Sequence, residues 1–339
     1  WIALAWRALV LAASARVLLQ RAPRAAADLL SVLLLATPVS CELAARGTYL
    51  RKAWDVERLT SESSPTKGWR DPEPFWSGAC GPEGAAEARA VLFAGGSSTG
   101  GAYQFLDEPE AFFAARAHER LCERLPPDTR LTTTNHGGGG RDTFTISRTI
   151  DLLMDRAADP EVVVLYTGVN DLAGGTNTKT RKEREAEEEA RGAALDGALG
   201  VAMRSRVLTG MSLWVRPLQQ RDGKVVADVP LPDAEENLRR IAAAVAARRA
   251  TLLLVTEYAT AQMDGVLLPY ARMEARLADE LDGVEWFDLR AAVAGTPEAE
   301  LLADRNHLSR EGSVRVGALL AAEVARLLDL PEAEPIAAP

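Results

Sequence analysis

Four short stretches of this 339-residue chain combine glycine with side chains that can do chemistry. They are Gly95-Gly96-Ser97-Ser98-Thr99-Gly100-Gly101, Asn135-His136-Gly137-Gly138-Gly139-Gly140-Arg141-Asp142-Thr143, Gly168-Val169-Asn170-Asp171 and Asp304-Arg305-Asn306-His307-Leu308. A serine hydroxyl attacks a carbonyl when an imidazole takes its proton, and the imidazole needs a carboxylate to hold its tautomer and stabilise its cation. The charge that builds on the carbonyl oxygen needs donors fixed beforehand, which backbone N–H groups and an asparagine amide can supply. The chemistry within reach of such a set is acyl transfer. The chain has three histidines, so the candidates for base are few. His118 lies in the helical pattern "AFFAARAHERL" and reads as structural. His136 adjoins the glycine loop without an acid spaced to orient it. His307, three residues after Asp304, takes the role.

Other readings of the first stretch fit less well. A phosphate-binding loop needs Lys and then Ser or Thr after GxxxxG, whereas Gly95 to Gly100 is followed by Gly101-Ala102. No register supplies the dinucleotide fingerprint GxGxxG. Gly96-Ser97-Ser98-Thr99-Gly100 does match GxSxG, the nucleophile elbow of α/β-hydrolases, with Ser98 as nucleophile. That elbow normally follows several strands, with its acid on a loop well before the histidine, and neither placement holds here. Taken singly, Gly137 to Gly140 is a flexible turn and Asn170-Asp171 a helix cap.

The elements that would position these stretches are legible as alternating patterns. Apolar runs at Ala88 to Ala94, Thr129 to Thr134, Glu161 to Tyr166, Thr251 to Thr256 and Val284 to Leu289 predict five strands. Helical patterns such as "PEAFFAARAHERLCERL", "DTFTISRTIDLLMDRAA", "DAEENLRRIAAAVAARRA" and "REGSVRVGALLAAEVARLLDL" separate or follow them. Continuous apolar strands alternating with helices imply right-handed crossovers and a parallel sheet covered on both faces. The expected fold is a three-layer α/β/α sandwich with a five-stranded parallel sheet. In such sheets ligands bind at the carboxyl ends of the strands. The first three stretches follow strands directly, and the fourth comes just before the last helix.

Taken together and in order, the four stretches resemble the blocks of the SGNH, or GDSL-like, hydrolase family, over roughly residues 88 to 328. The resemblance implies a flavodoxin-like fold and a role for each block. Ser97 stands at the nucleophile, Gly140, in Asn-x-Gly-x-x-Gly, at the oxyanion glycine, and Asn170, in Gly-x-Asn-Asp, at the oxyanion asparagine. Asp304 and His307, in Asp-x-x-His, stand at the acid and base. The Ser97 N–H, the Gly140 N–H and the Asn170 amide would form the oxyanion hole. One position departs: Gly96 stands where the namesake motif has Asp before Ser, which removes a carboxylate from the loop. The implied activity is hydrolysis of an acyl ester, on a small molecule, lipid or acylated carbohydrate, through an acyl-serine intermediate. The charged run "TKTRKEREAEEEA" is an unsuitable lid for a long-chain lipase, which favours short acyl groups such as acetyl. The same intermediate intercepted by a sugar hydroxyl would make an O-acyltransferase of cell-envelope carbohydrate. A non-catalytic, membrane-tethered binding domain is a further alternative. The reading calls for no cofactor and no metal.

Composition bounds the rest. The hydrophobic fraction of 47% suits one sizeable core, and the net charge of -9 with dispersed Lys and Arg argues against a nucleic-acid partner. Residues 1–46 are apolar with Arg7, Arg16, Arg21 and Arg24, and Ala25 to Ala45 comes near the ~20 residues of a spanning helix, so the expectation is an N-terminal apolar helical segment acting as a signal anchor. The protein would then be membrane-anchored or exported, with its catalytic domain extracytoplasmic. Cys80 and Cys122 could pair in an oxidising space, and Cys41 lacks the Leu usual three positions ahead of a lipidated cysteine. Residues 47–87, rich in Pro, Ser, Gly and charge, read as a linker, 88–330 as the catalytic domain, and about 173–230 as an insertion whose run at 178–192 is a solvated helix.

Overall fold

Runs of valine and leucine without polar alternation form strands that are buried on both faces, and three of the six strands among the described residues, those carrying "VLFA", "VVVLY" and "LLLV", are of that kind. In the computed structural model the described residues are 74–100, 108–172, 180–183, 185–186 and 227–331. All of them belong to one unit of the chain, Glu57–Glu189 with Asp222–Pro339. The strands are β1 (Trp76–Cys80), β2 (Glu87–Gly95), β3 (Thr129–Asn135), β4 (Val162–Thr167), β5 (Thr251–Thr256) and β6 (Val284–Phe287). The helices are α1 (Phe113–Cys122), α2 (Thr143–Arg156), α3 (Val169–Leu172), α4 (Leu231–Ala247), α5 (Asp264–Glu280), α6 (Leu289–Ala292), α7 (Glu298–Leu301) and α8 (Arg310–Leu327).

The sheet order is β1-β3-β2-β4-β5-β6. Strands β2 to β6 run parallel, and β1 pairs antiparallel to β3. On one face Val91 and Phe93 of β2 pack with Phe113 and Leu121 of α1 and with Val316 and Leu320 of α8. On the other, Leu92 and Ala94 pack with Ile146 of α2, Ile241 of α4 and Met273 of α5. This is the three-layer α/β/α arrangement, with the order of a flavodoxin-like sheet in its parallel part.

The strand count differs from the five parallel strands expected, because β1 adds a sixth and makes the sheet mixed. Its residues, Trp-Ser-Gly-Ala-Cys, contain no β-branched side chain, and they alternate between half-buried and exposed. That is how an edge strand differs from a central one, and it hides the strand in a polar stretch. A disulfide between Cys80 and Cys122, with Cα atoms 6.0 Å apart, ties β1 to α1. The His118 ring stacks edge-on against Trp76 at 5.4 Å, and its Nδ1 lies 3.0 Å from the Thr133 hydroxyl.

The chain leaves the sheet after α3 and returns before α4. At the return the Val229 N–H donates to the Asp171 carbonyl at 2.9 Å, and the Arg181 N–H donates to the Asp228 carbonyl at 2.6 Å. The apolar segment 1–46, Cys41 and most of the insertion lie outside the described residues. Among the described residues, no helix is long and apolar enough to cross a membrane.

Candidate active site

Strand β2 has β3 on one side and β4 on the other, so the connections leaving β2 and β3 pass to opposite sides of it. That reversal opens a crevice at the carboxyl ends of β2 and β4, where open α/β sheets take their ligands. Ser97 follows β2, and Asn170 follows β4.

The loop after β2 turns at once: the N–H groups of Thr99 and Gly100 both donate to the Gly96 carbonyl at 3.1 Å. The loop after β3 lies against it. Asn135 makes the join, its amide nitrogen donating to the Thr99 carbonyl at 2.7 Å and its amide oxygen accepting from the Gly137 N–H at 2.8 Å. The Gly138 N–H donates to the Gly95 carbonyl at 3.1 Å. The two backbones touch at Gly100 and Gly137, where a Cβ on either residue would run into the other's main chain. Gly140, three residues on, has φ 72° and is exposed.

Asp142 and Asp171 organise the start of α2. Asp142 caps the helix, accepting from the Thr145 N–H at 2.8 Å. Asp171 accepts from the N–H and hydroxyl of Thr143 at 2.8 and 2.9 Å. Burial, with the nearby Asp142 carboxyl adding to it, pushes Asp171 well above the usual carboxylate range. Its neighbour Asn170 sets its amide nitrogen directly over Gly96, so that a Cβ on Gly96 would collide with it.

The last block is a small hairpin, with an isolated bridge between Leu302 and Leu308 and the Ala303 N–H donating to the His307 carbonyl at 2.8 Å. Asp304 Oδ1 accepts from the N–H groups of Asn306 and His307 at 3.0 and 2.9 Å, which fixes the carboxylate. Its Oδ2 lies 2.7 Å from His307 Nδ1, and His307 Nε2 lies 2.9 Å from Ser97 Oγ. An ionised carboxylate only accepts, so Nδ1 carries the proton donated to Asp304 and Nε2 is free to accept from Ser97. Burial works to raise the Asp304 carboxyl, but the two backbone N–H groups and the His307 imidazole outweigh it and hold the group below its usual value.

Thus the structure joins Ser97, His307 and Asp304 in one hydrogen-bonded chain and sets Asn170 beside them. Gly140 lies on the loop after β3 that packs against the Ser97 loop, and makes no direct contact with the three. Ser98 faces the other way: it is 3% exposed, and its hydroxyl donates to Glu257 Oε1. His136 is buried, and burial first, then the Arg141 charge, lowers it to about 4. Glu257 was not singled out from the sequence, although it occupies the carboxyl end of β5, the kind of position where such residues are sought. Cys80, His118 and Cys122 also gather within 4.8 Å, away from these loops, but the two sulfurs are bonded to each other. A cavity of about 450 Å³ at the ends of β5 and β6 is lined by Glu257, Tyr258, Leu267 and Trp286 among others, and neither Ser97 nor His307 lines it.

A parallel sheet whose carboxyl edge carries a serine, histidine and aspartate in hydrogen-bonded series has the layout of a serine hydrolase. The chain belongs to the GDSL-like lipase/acylhydrolase family, whose model matches residues 93–315, and it is accordingly an ester-hydrolysing enzyme. Among solved structures it is similar to a catalytic mutant of an acetylxylan esterase from Geobacillus stearothermophilus, with 18% identity over 73% of this chain and 95% of that one and a TM-score of 0.45. A family 3 carbohydrate esterase from Clostridium thermocellum shares 14% identity over 71% and 99% of the two chains, with a TM-score of 0.44. A carbohydrate esterase of family 3 from Talaromyces cellulolyticus shares 12% over 72% and 98%, with a TM-score of 0.42. No curated protein matches the chain.

Proposed function

We propose that this enzyme hydrolyses esters of short acyl groups, such as acetyl, through an acyl-serine intermediate on Ser97. The observation that carries the reading is the 2.9 Å contact between Ser97 Oγ and a His307 whose other ring nitrogen is held by Asp304 at 2.7 Å. Ser97 Oγ attacks the carbonyl carbon as its proton passes to His307 Nε2. The oxyanion is met by the N–H groups of Ser97 and Gly140 and by the Asn170 amide. The bond to the alcohol oxygen then breaks, and His307 returns the proton to that oxygen. Water repeats the sequence in reverse roles: it gives a proton to His307, attacks the acyl carbon and displaces Ser97 Oγ, which recovers the proton as the carboxylic acid leaves. Asp304 stays ionised throughout and stabilises the imidazolium. An extracytoplasmic location belongs to the same reading, supported by the Cys80–Cys122 disulfide, since such bonds persist in oxidising compartments.

The test is hydrolysis of p-nitrophenyl acetate and p-nitrophenyl octanoate by the full chain, wild type beside Ser97→Ala. Cleavage of acetate in preference to octanoate, lost in Ser97→Ala, is the expected result. A preference for octanoate overturns the short-acyl assignment. Cleavage that survives Ser97→Ala overturns the nucleophile. A folded wild type labelled at Ser97 by a fluorophosphonate but cleaving neither ester would replace water with another acyl acceptor.

A further inference from the structure

Behind the three catalytic loops stands a buried carboxylate. Glu257 directly follows β5 and is 2% exposed. Its main chain is anchored to the neighbouring strand, with its N–H donating to the Thr167 carbonyl at 2.8 Å. The side chain accepts three hydrogen bonds. Oε1 accepts from the Ser98 hydroxyl and, at 3.4 Å, from Asn306 Nδ2, while Oε2 accepts from the Val169 N–H at 3.2 Å. Ser98 Oγ also lies 3.2 Å from the Asn306 carbonyl, so the first and last loops meet on this group as well as on each other.

The donors are three sequence neighbours of the reacting groups: Ser98 follows Ser97, Val169 precedes Asn170, and Asn306 precedes His307. A surface loop needs no such join, and a buried carboxylate is costly unless its hydrogen bonds are made. Burial holds Glu257 above the usual carboxylate range, and the bonds from Ser98, Asn306 and Val169, with the charge His307 can carry, offset only part of that. The arrangement is stable only while all three loops are in place, which is what a device for setting their spacing requires.

We infer that Glu257 is a positioning residue for the ester-cleaving reaction, clamping the loops of Ser97, Asn170 and His307 to one another through Ser98, Val169 and Asn306. The inference rests on the reading of Ser97 as nucleophile and His307 as base. Misplacing a reacting group by about 1 Å can cost about 100-fold in rate, so a clamp of this kind acts on the rate of attack rather than on the number of folded molecules.

The test is the rate and the final extent of labelling by a fluorophosphonate, with kcat and KM on p-nitrophenyl acetate, in the full chain and in Glu257→Leu, Glu257→Gln, Ser98→Ala and the Glu257→Gln/Ser98→Ala double variant. In Glu257→Leu the labelling rate constant and kcat should fall together by about 100-fold while the extent stays near one per chain and KM changes little. Glu257→Gln, which keeps an acceptor, should recover at least 10-fold of that loss, on the order expected for a retained hydrogen bond. If Glu257→Leu does not fold, the cycle between Glu257→Gln and Ser98→Ala decides, because two partners in one clamp give losses that do not add. Unchanged rates in the Glu257 variants, a fall only in labelling extent, or additive losses in the cycle would each overturn the positioning role while leaving Ser97 as nucleophile. Wild-type labelling at a residue other than Ser97 would instead overturn the underlying reading, and the clamp with it.

Discussion

The amide nitrogen of Asn170 lies against the Cα of Gly96, so close that a Cβ there would occupy its place. In this chain the space that a side chain at position 96 would enter is filled by the Asn170 amide.

Gly96→Ala should therefore act as a lesion of Asn170. Losing one oxyanion donor typically costs about 100- to 1,000-fold in kcat, so Asn170→Ala should fall in that range with little change in KM, and Gly96→Ala should approach it. The pair should be no worse than Asn170→Ala alone, because both remove the same contact. Full activity in Gly96→Ala would show that the amide has room to move aside.

The two serines should separate cleanly. Ser97→Ala should lose all labelling by a fluorophosphonate, whereas Ser98→Ala should still be labelled at Ser97, at a reduced rate. Mass spectrometry of the labelled peptide distinguishes them. Labelling at Ser98 in the wild type would restore the elbow reading of GxSxG.

Much of this arrangement can be read from the residues, and what escapes has physical reasons. Strands β2, β4 and β5 are covered by helices on both faces, so they appear as apolar runs such as "AVLFA" and "TLLLVT". Strand β1 is at the edge, built from Trp, Gly and Cys, and its identity depends on the antiparallel pairing with β3 and on the disulfide to α1. Residues of the candidate site are legible where a short motif carries the geometry, as in Asp304-Arg305-Asn306-His307. Glu257 has no such motif: its three partners come from positions 98, 169 and 306, and only the folded sheet brings them together.

Stability should decline from acid toward neutral pH through Glu274 of α5. The side chain is buried beside the Thr256 hydroxyl, and burial raises it from an ordinary 4.5 to about 8. The folded protein thus binds a proton that the unfolded chain releases at lower pH. The stabilisation is fully present below pH 4.5 and is lost as pH rises to about 8, by on the order of 5 kcal/mol. Glu274→Gln should flatten that slope. Urea midpoints at pH 5 and pH 8, wild type beside variant, make the check, and parallel slopes would refute the assignment.

Reduction of the disulfide should weaken the fold without slowing the chemistry. Cys80 and Cys122 are 42 residues apart, and closing a loop of that size is worth about 4 kcal/mol in the chain-entropy account. The Cys80→Ser/Cys122→Ser variant should melt several degrees lower, yet show the wild-type labelling rate at temperatures where it is folded. A slowed rate would mean that β1 and α1 reach the crevice.

The hydrogen bond from the Val229 N–H to the Asp171 carbonyl brings the chain back to the point it left. The chain thus leaves and re-enters the domain at neighbouring points, Leu172 and Asp228. Closure entropy grows only slowly with length, by about 0.6 kcal/mol for each doubling of the span. A change of length in this segment is therefore a small perturbation at the point where it meets β4 and α4, three residues from Asn170.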